Sequence, residues 1–224
     1  AYIRSPLPLA ERAEQLDKDY AKDLQNDFDG DIEKFDANKR AFARDKAALE
    51  EERQVRESII KEIHERLQDF GALGLWSEFD YDFSNAHFFY PIVFTNSYFD
   101  ASSRFFGATF TQGAYFSGTT FTHANFSRAT FTQGAYFSEA TFTERTDFSG
   151  AIFHSEPSFT DVLGKARFSY KVIPEDYRFE VDPDSPCKIE TEEQEYNGVK
   201  FMIPKGAILF DPDGSSEQKD DNDS

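Results

Sequence analysis

The sequence predicts a mainly β solenoid, preceded by an α-helical segment and closed by a β-hairpin. Three observations predict it. The stretch Ala108 to Ser117 (ATFTQGAYFS) recurs unchanged at Ala129 to Ser138, so that Phe110 returns as Phe131 and Tyr115 as Tyr136. A phenylalanine stands at every fifth or sixth position from Phe83 to Phe159. The stretch from Leu7 to Phe70 is instead rich in Glu, Lys, Arg, Ala and Leu, with glycine only at Gly30. A fixed period of this length marks units that bury their apolar side only by stacking on one another.

Residues 1 to 77 form the N-terminal segment, opening with an irregular arm over residues 1 to 6. Helix-favouring composition predicts two helices, about 8 to 26 and 31 to 70, broken near Asp29-Gly30. One position recurs in every heptad, at Phe28, Phe35, Phe42, Leu49, Arg56, Ile63 and Phe70. Its companions Ile32, Ile60 and Leu67 fit an apolar seam, but Lys39, Lys46 and Arg53 interrupt it, which argues against a long coiled coil. Ile59, Ile60, Ile63, Leu67 and Phe70 make an apolar stripe that needs a packing partner. At the helix break, Gln25 to Asp36 (QNDFDGDIEKFD) partly fits a calcium loop through Asp27, Asp29, Gly30, Ile32, Glu33 and Asp36. Gln25 stands where a leading Asp is expected and Asp36 where a bidentate Glu is expected, so solvated acids at a helix break are the expectation and no metal is assigned.

Residues 78 to 169 carry the ladder. Its rungs include Phe83, Phe88, Phe94, Phe99, Phe105, Phe110, Phe116, Phe121, Phe126, Phe131, Phe137, Phe142, Phe148, Phe153 and Phe159. Two places before most rungs stands a small residue, such as Ala108, Ala114, Ala124, Ala129 or Ala135. Alternation in extended backbone turns both inward. The residue after the ring is a hydroxyl that alternates Thr and Ser from Thr111 to Ser149. Units such as Ala124-Asn125-Phe126-Ser127-Arg128 and Ala129-Thr130-Phe131-Thr132-Gln133 resemble the Phe-centred branch of the pentapeptide-repeat family, over about residues 79 to 160. That resemblance implies a right-handed quadrilateral β-helix with four units per coil. Four units of five fall one or two short of the observed repeat, which implies an extra residue at certain corners, as at Gln112-Gly113 and Gln133-Gly134.

The arithmetic gives four stacks: Phe94, Phe116, Phe137 and Phe159; Phe99, Phe121 and Phe142; Phe105, Phe126 and Phe148; Phe88, Phe110, Phe131 and Phe153. It also sets Tyr115 against Tyr136 and Gln112 against Gln133 on the outside, a candidate interaction face. Beyond Thr160 the ladder is expected to lose register. Residues 170 to 210 are expected to cap the solenoid: Tyr196-Asn197-Gly198-Val199 gives a turn signal, Val199 to Ile203 and Ala207 to Phe210 flank Pro204-Lys205-Gly206 as a hairpin, and Leu67 to Trp76 is the expected cap at the other end. Residues 211 to 224 read as a disordered acidic tail.

Composition narrows the functional classes. Cys187 is the only cysteine, which excludes an intrachain disulfide and a multi-Cys zinc site. No run approaches the length of a membrane helix, and the composition favours a soluble, cytoplasmic setting over a secreted one. The first residue, Ala1, leaves open a processed product or a fragment. Net charge is −18, divided as −5, −6 and −7 over residues 1–77, 78–161 and 162–224, with no basic stripe for phosphates and hence no expected direct contact with nucleic acid. The four histidines have no motif-spaced partners, and no enzyme, cofactor or catalytic residue is assigned.

The expected function is a structural or protein-interaction module, with a partner of unknown identity and possible homo-oligomerisation through the N-terminal helices. Two alternatives follow from resemblance. Some pentapeptide-repeat relatives imitate DNA and bind type II topoisomerases such as gyrase, but between Phe94 and Phe153 four acidic residues face three arginines. Thr-x-Thr ladders at 109–111, 120–122, 130–132 and 141–143 resemble ice-binding surfaces, but divide between two opposite faces.

Overall fold

A computed structural model describes residues 2–18, 30–68 and 74–214. Over the solenoid the backbone winds into parallel ladders whose partners lie one coil apart: His87 pairs with Thr109, Thr109 with Thr130, and Thr130 with Ile152. Short strands fit this sequence because each unit places one ring and one small residue inward before turning a corner. Ala86, Ala108, Ala114, Ala129, Ala135 and Ala140 are all buried beside the rings. The corners after the Phe83, Phe94, Phe105, Phe116, Phe126, Phe137 and Phe148 rungs fall at Asn85, Asn96, Gly107, Gly118, Arg128, Glu139 and Gly150, every one at positive φ. A Cβ on Gly107 or Gly118 would run into the side chain of Asn85 or Asn96 in the coil before, and glycine adopts the positive φ of this corner more readily than the Arg128 and Glu139 that stand at equivalent corners.

The rings form four columns. Phe94, Phe116, Phe137 and Phe159 stack at 6.1, 5.3 and 5.2 Å between centroids. Phe88, Phe110, Phe131 and Phe153 stack at 5.1, 4.7 and 4.8 Å. Phe99, Phe121 and Phe142 stack at 5.2 and 5.5 Å, and Phe105, Phe126 and Phe148 at 4.8 and 5.0 Å. Neighbouring columns meet edge to face, as Phe126 does with Phe116 and Phe137 at 71° and 77°. The interior is filled by offset and T-shaped ring pairs, the arrangements the aromatic quadrupole favours.

The ladder does not lose register at Thr160. Asp161 ties a short excursion by accepting from the amides of Leu163 and Gly164, and the coil then resumes. Phe168 stacks on Phe142 at 4.7 Å and Phe179 on Phe148 at 6.0 Å. Tyr177 takes the small-residue position opposite Thr146, and its hydroxyl donates to the Ser169 carbonyl at 2.8 Å. The solenoid thus passes the expected boundary at residue 169.

The expected C-terminal hairpin is present, at the Asn197-Gly198 turn, but its strands differ from those expected. The hairpin pairs Thr191–Tyr196 with Val199–Pro204 across Asn197-Gly198, whose φ angles of 50° and 79° suit a tight turn with both central residues left-handed. Ile208–Phe210 is no part of that hairpin and pairs in parallel with Arg167–Ser169 in the last coil. The tail is ordered at its start, where Lys171 Nζ reaches Asp211 at 2.6 Å and Asp213 at 2.5 Å. Residues 215–224 lie outside the described part.

The expected helix over 8–26 is a 3-10 turn, Pro8–Arg12, running into α1, Ala13–Asp17, and ending at Lys18, which is extended. Residues 19–29, with the first five positions (25–29) of the candidate calcium loop, lie outside the described residues. α2, Ile32–Leu67, starts on an N-cap in which Asp31 accepts from the Lys34 amide at 3.0 Å, and it stops at Leu67, short of the expected end at Phe70. Its C-terminal half, rather than Leu67 to Trp76 alone, covers the first coil: Leu49, Ile60 and Leu67 join the same buried cluster as Ile92 and Phe94. Arg56, which breaks the apolar heptad in sequence, is 2% exposed. Its guanidinium donates to the carbonyls of Ile3 and Ser5 at 2.8 and 3.0 Å and to Glu52 at 2.6 Å, fixing the N-terminal arm.

Phe126 sits mid-column with rings on every side, so Phe126→Ala should lower stability by about 4 kcal/mol, the usual cost of a large core cavity. The surface substitution Phe106→Ser should have a small effect, both read as shifts of the urea midpoint.

Candidate interaction surface

Buried rings fill the solenoid interior, and the outward residues of its strands form the surface. Ile92–Val93, Ala114–Tyr115 and Ala135–Tyr136 form a parallel ladder on one face, and Tyr136 bridges onward to Ser158. Alternation buries Ile92, Ala114 and Ala135 and turns Val93, Tyr115 and Tyr136 outward at 40%, 38% and 40% exposure. The tyrosine rings stack at 5.0 Å with 11° between planes. Each ring folds back over the glycine two places before it, and a Cβ on Gly113 would lie 2.7 Å from the Tyr115 ring. This explains Gln-Gly-Ala-Tyr in both copies of the repeat: Gly admits the ring and Ala fills the core beneath it.

Gln112 and Gln133 lie at the bends that precede these strands, half-buried and exposed respectively. The two tyrosines are therefore brought into direct contact, with the glutamines beside them one coil apart.

Sequence reasoning missed how the stripe continues. Val93 extends it by one coil, and Val93 also lines a cleft of about 690 Å³ with Pro91 and, from α2, Gln54, Glu57, Ser58, Ile60, Lys61 and His64. The one-coil step from Val93 to Tyr115 was the available signal, hidden because an aliphatic residue replaces the tyrosine. On the other side of α2, Val55, Ile59 and Ile63 follow one another at helical spacing beside Trp76, in a second, mostly apolar cleft of about 700 Å³.

Some of the solenoid's carboxylates have basic partners beside them. Burial works against ionisation of Asp147, but the Ser149 hydroxyl and amide and the Arg145 guanidinium hold its carboxyl below the usual range. Glu144 meets His123 at 2.8 Å. The threonine ladders are two rungs deep: Thr109 and Thr130 stand between His87 and Ile152, and Thr120 and Thr141 between Tyr98 and Arg167. Thr111 and Thr143 donate their hydroxyls to the carbonyls of Phe88 and Phe121. Among the described residues no group of His, Cys, Asp and Glu is arranged to hold a metal, and no helix is long and apolar enough to cross a membrane.

These features define a four-columned β-solenoid protein with an N-terminal helix, about four turns long. More narrowly, residues 116–163 match the family model described as pentapeptide repeats in nine copies, and the chain carries that repeat. The columns themselves begin at Phe83 and end at Phe179, well outside the matched segment. Neither the curated proteins nor the solved structures gave a match.

Gly134→Ala places a methyl where the Tyr136 ring lies, so the ring must swing outward. The expected result is a weakened near-ultraviolet tyrosine circular dichroism signal with a urea midpoint close to wild type.

Proposed function

We propose that this chain is a non-enzymatic scaffold whose β-helix presents the Val93–Tyr115–Tyr136 stripe to a protein partner, with α2 available for docking or self-association. The observation that carries this reading is the stacked tyrosine pair on a backbone fixed by ring columns. Tyrosine supplies large contact area at little conformational cost, which is why interfaces are enriched in it. The filled interior argues against a substrate cavity within the coils. Among the alternatives, DNA mimicry draws little support from a rod whose carboxylates are partly paired with Arg and His, since it requires unpaired charge at phosphate spacing. Ice binding draws little from threonine arrays only two rungs deep. Self-association is supported by the mostly apolar cleft that exposed Val55 and half-buried Ile59 and Ile63 line on α2.

The test compares wild type with Tyr115→Ser/Tyr136→Ser in quantitative crosslinking and in sedimentation. Both side chains are solvent-facing, so the fold should persist. Partners crosslinked through this face should fall at least tenfold in the double variant. An unchanged crosslinking pattern, together with a monomer at all concentrations, would remove the reading.

A further inference from the structure

The C-terminal half of α2 lies against the first coil, and two histidines sit in that junction. His64 places Nδ1 3.0 Å from the Ser97 hydroxyl and Nε2 3.0 Å from Nε2 of Gln68, and its ring meets Phe94 edge-on at 6.3 Å. The same Gln68 nitrogen lies 2.8 Å from the Thr95 carbonyl oxygen. A carbonyl only accepts, so Gln68 points its NH₂ there and its second hydrogen at His64 Nε2. Nε2 is thus an acceptor without a proton. The neutral ring carries its hydrogen on Nδ1 and donates it to the fully buried Ser97 hydroxyl. His87, in the first coil, has Nε2 buried without a hydrogen-bond partner among the described residues.

We propose that His64 and Gln68 form an acid-sensitive latch that holds the helical cap on the N-terminal end of the β-helix. A proton on His64 Nε2 faces the NH₂ of Gln68. Rotating the amide gives the imidazolium an acceptor but turns an oxygen toward the Thr95 carbonyl, so neither orientation satisfies both groups. Protonation thus sets two donors against each other between His64 and Gln68, the residues that hold Ser97 and Thr95, and loosens the last turn of α2 on the first coil. Release uncovers Phe89, Tyr90 and Ile92 and the backbone edge of the first strands, a template for pairing with another chain.

The surrounding charges fix the direction of the pH response. Around His64, α2 supplies Glu65, with Glu57 and Lys61 lining the same cleft, and the first coil supplies Phe94, Thr95 and Ser97. His87 faces Glu11 from the arm and Arg56 from α2. Burial holds both imidazoles below their ordinary value of 6.5, with Glu65 opposing it at His64; at His87, Glu11 opposes and Arg56 reinforces it. The docked state therefore prefers neutral histidine. Its full stability is present above about pH 6.5 and is lost as pH falls from there through the lower folded values. Burial raises the Glu57 carboxyl instead, so proton uptake there favours docking in acid and cannot produce release.

Trp76, the only tryptophan, reports on the junction: its ring lies 5.6 Å from the Arg66 guanidinium near the end of α2. On lowering pH from about 7.5 to about 5.0, across the histidine range, Trp76 emission should shift. Amide exchange over residues 55–68 should rise severalfold while exchange over residues 105–153 stays level. Gln68→Glu gives the imidazolium an acceptor but removes the donor to the Thr95 carbonyl, so exchange over residues 55–68 should already be raised at about pH 7.5 and the further rise on acidification should be suppressed. His64→Gln should reduce it, and His64→Gln/His87→Gln should abolish it. An acid response absent from wild type, or undiminished in both Gln68→Glu and the double histidine variant, would overturn the latch.

Discussion

Ring-on-ring stacking in register with the backbone ladder is the constraint on which the rest of the molecule depends. Strand spacing of about 4.8 Å falls within the range of about 4.5–7 Å between centroids that offset-stacked rings favour, so a phenylalanine placed once per side can stack on its counterpart in the next coil. Branched aliphatics at those positions would have to interlock differently in every layer. With rings, one solution repeats, and the outward residues are free to vary. In the middle coils the small residue two places earlier is the complement of the ring, whereas the end coils admit Tyr81, Ile92 and Tyr177 at that place.

That constraint also explains why both ends are elaborate. A column of rings has no natural termination, and an open end leaves apolar faces and unpaired strand groups in water. The first coil is covered by α2 and the arm that Arg56 binds to it. The last coil is covered by the hairpin, whose Phe201 and Ile203 are buried, near Tyr177. Between these caps the outward residues contribute less to stability than the rings, which suits the interaction role proposed for Val93, Tyr115 and Tyr136. The glycines beneath the tyrosines belong to that surface rather than to the core.

Much of this was legible in the sequence, because the spacing of the rings and the exact internal repeat place every coil from Phe83 to Phe159. What was not legible has physical causes. The last coil is hidden by the excursion at Asp161 to Lys165, which stretches the interval from Phe159 to Phe168, and by Tyr177 standing where a small residue is expected. Pro204-Lys205-Gly206 reads as the hairpin turn although Asn197-Gly198 is the stronger turn signal, because Ile208–Phe210 looks like a partner strand when its long-range pairing with Arg167–Ser169 is unknown. Arg56 reads as a break in an apolar seam, and only the arm folded over it shows why a cation belongs there. The outward stripe was half visible: the repeated tyrosines announced it, whereas Val93 and the α2 cleft depend on how the helix crosses the first coil.

The central claim is that the ring columns hold one continuous solenoid from Phe83 to Phe179, including the coil that has no repeat signature. Hydrogen exchange across the whole chain tests it most directly. The columns predict that amides of residues 166–169 and 177–179 are protected to the same degree as those of residues 120–125 and open with them. Rapid exchange over 166–179, beside a protected segment ending near residue 160, would contradict it.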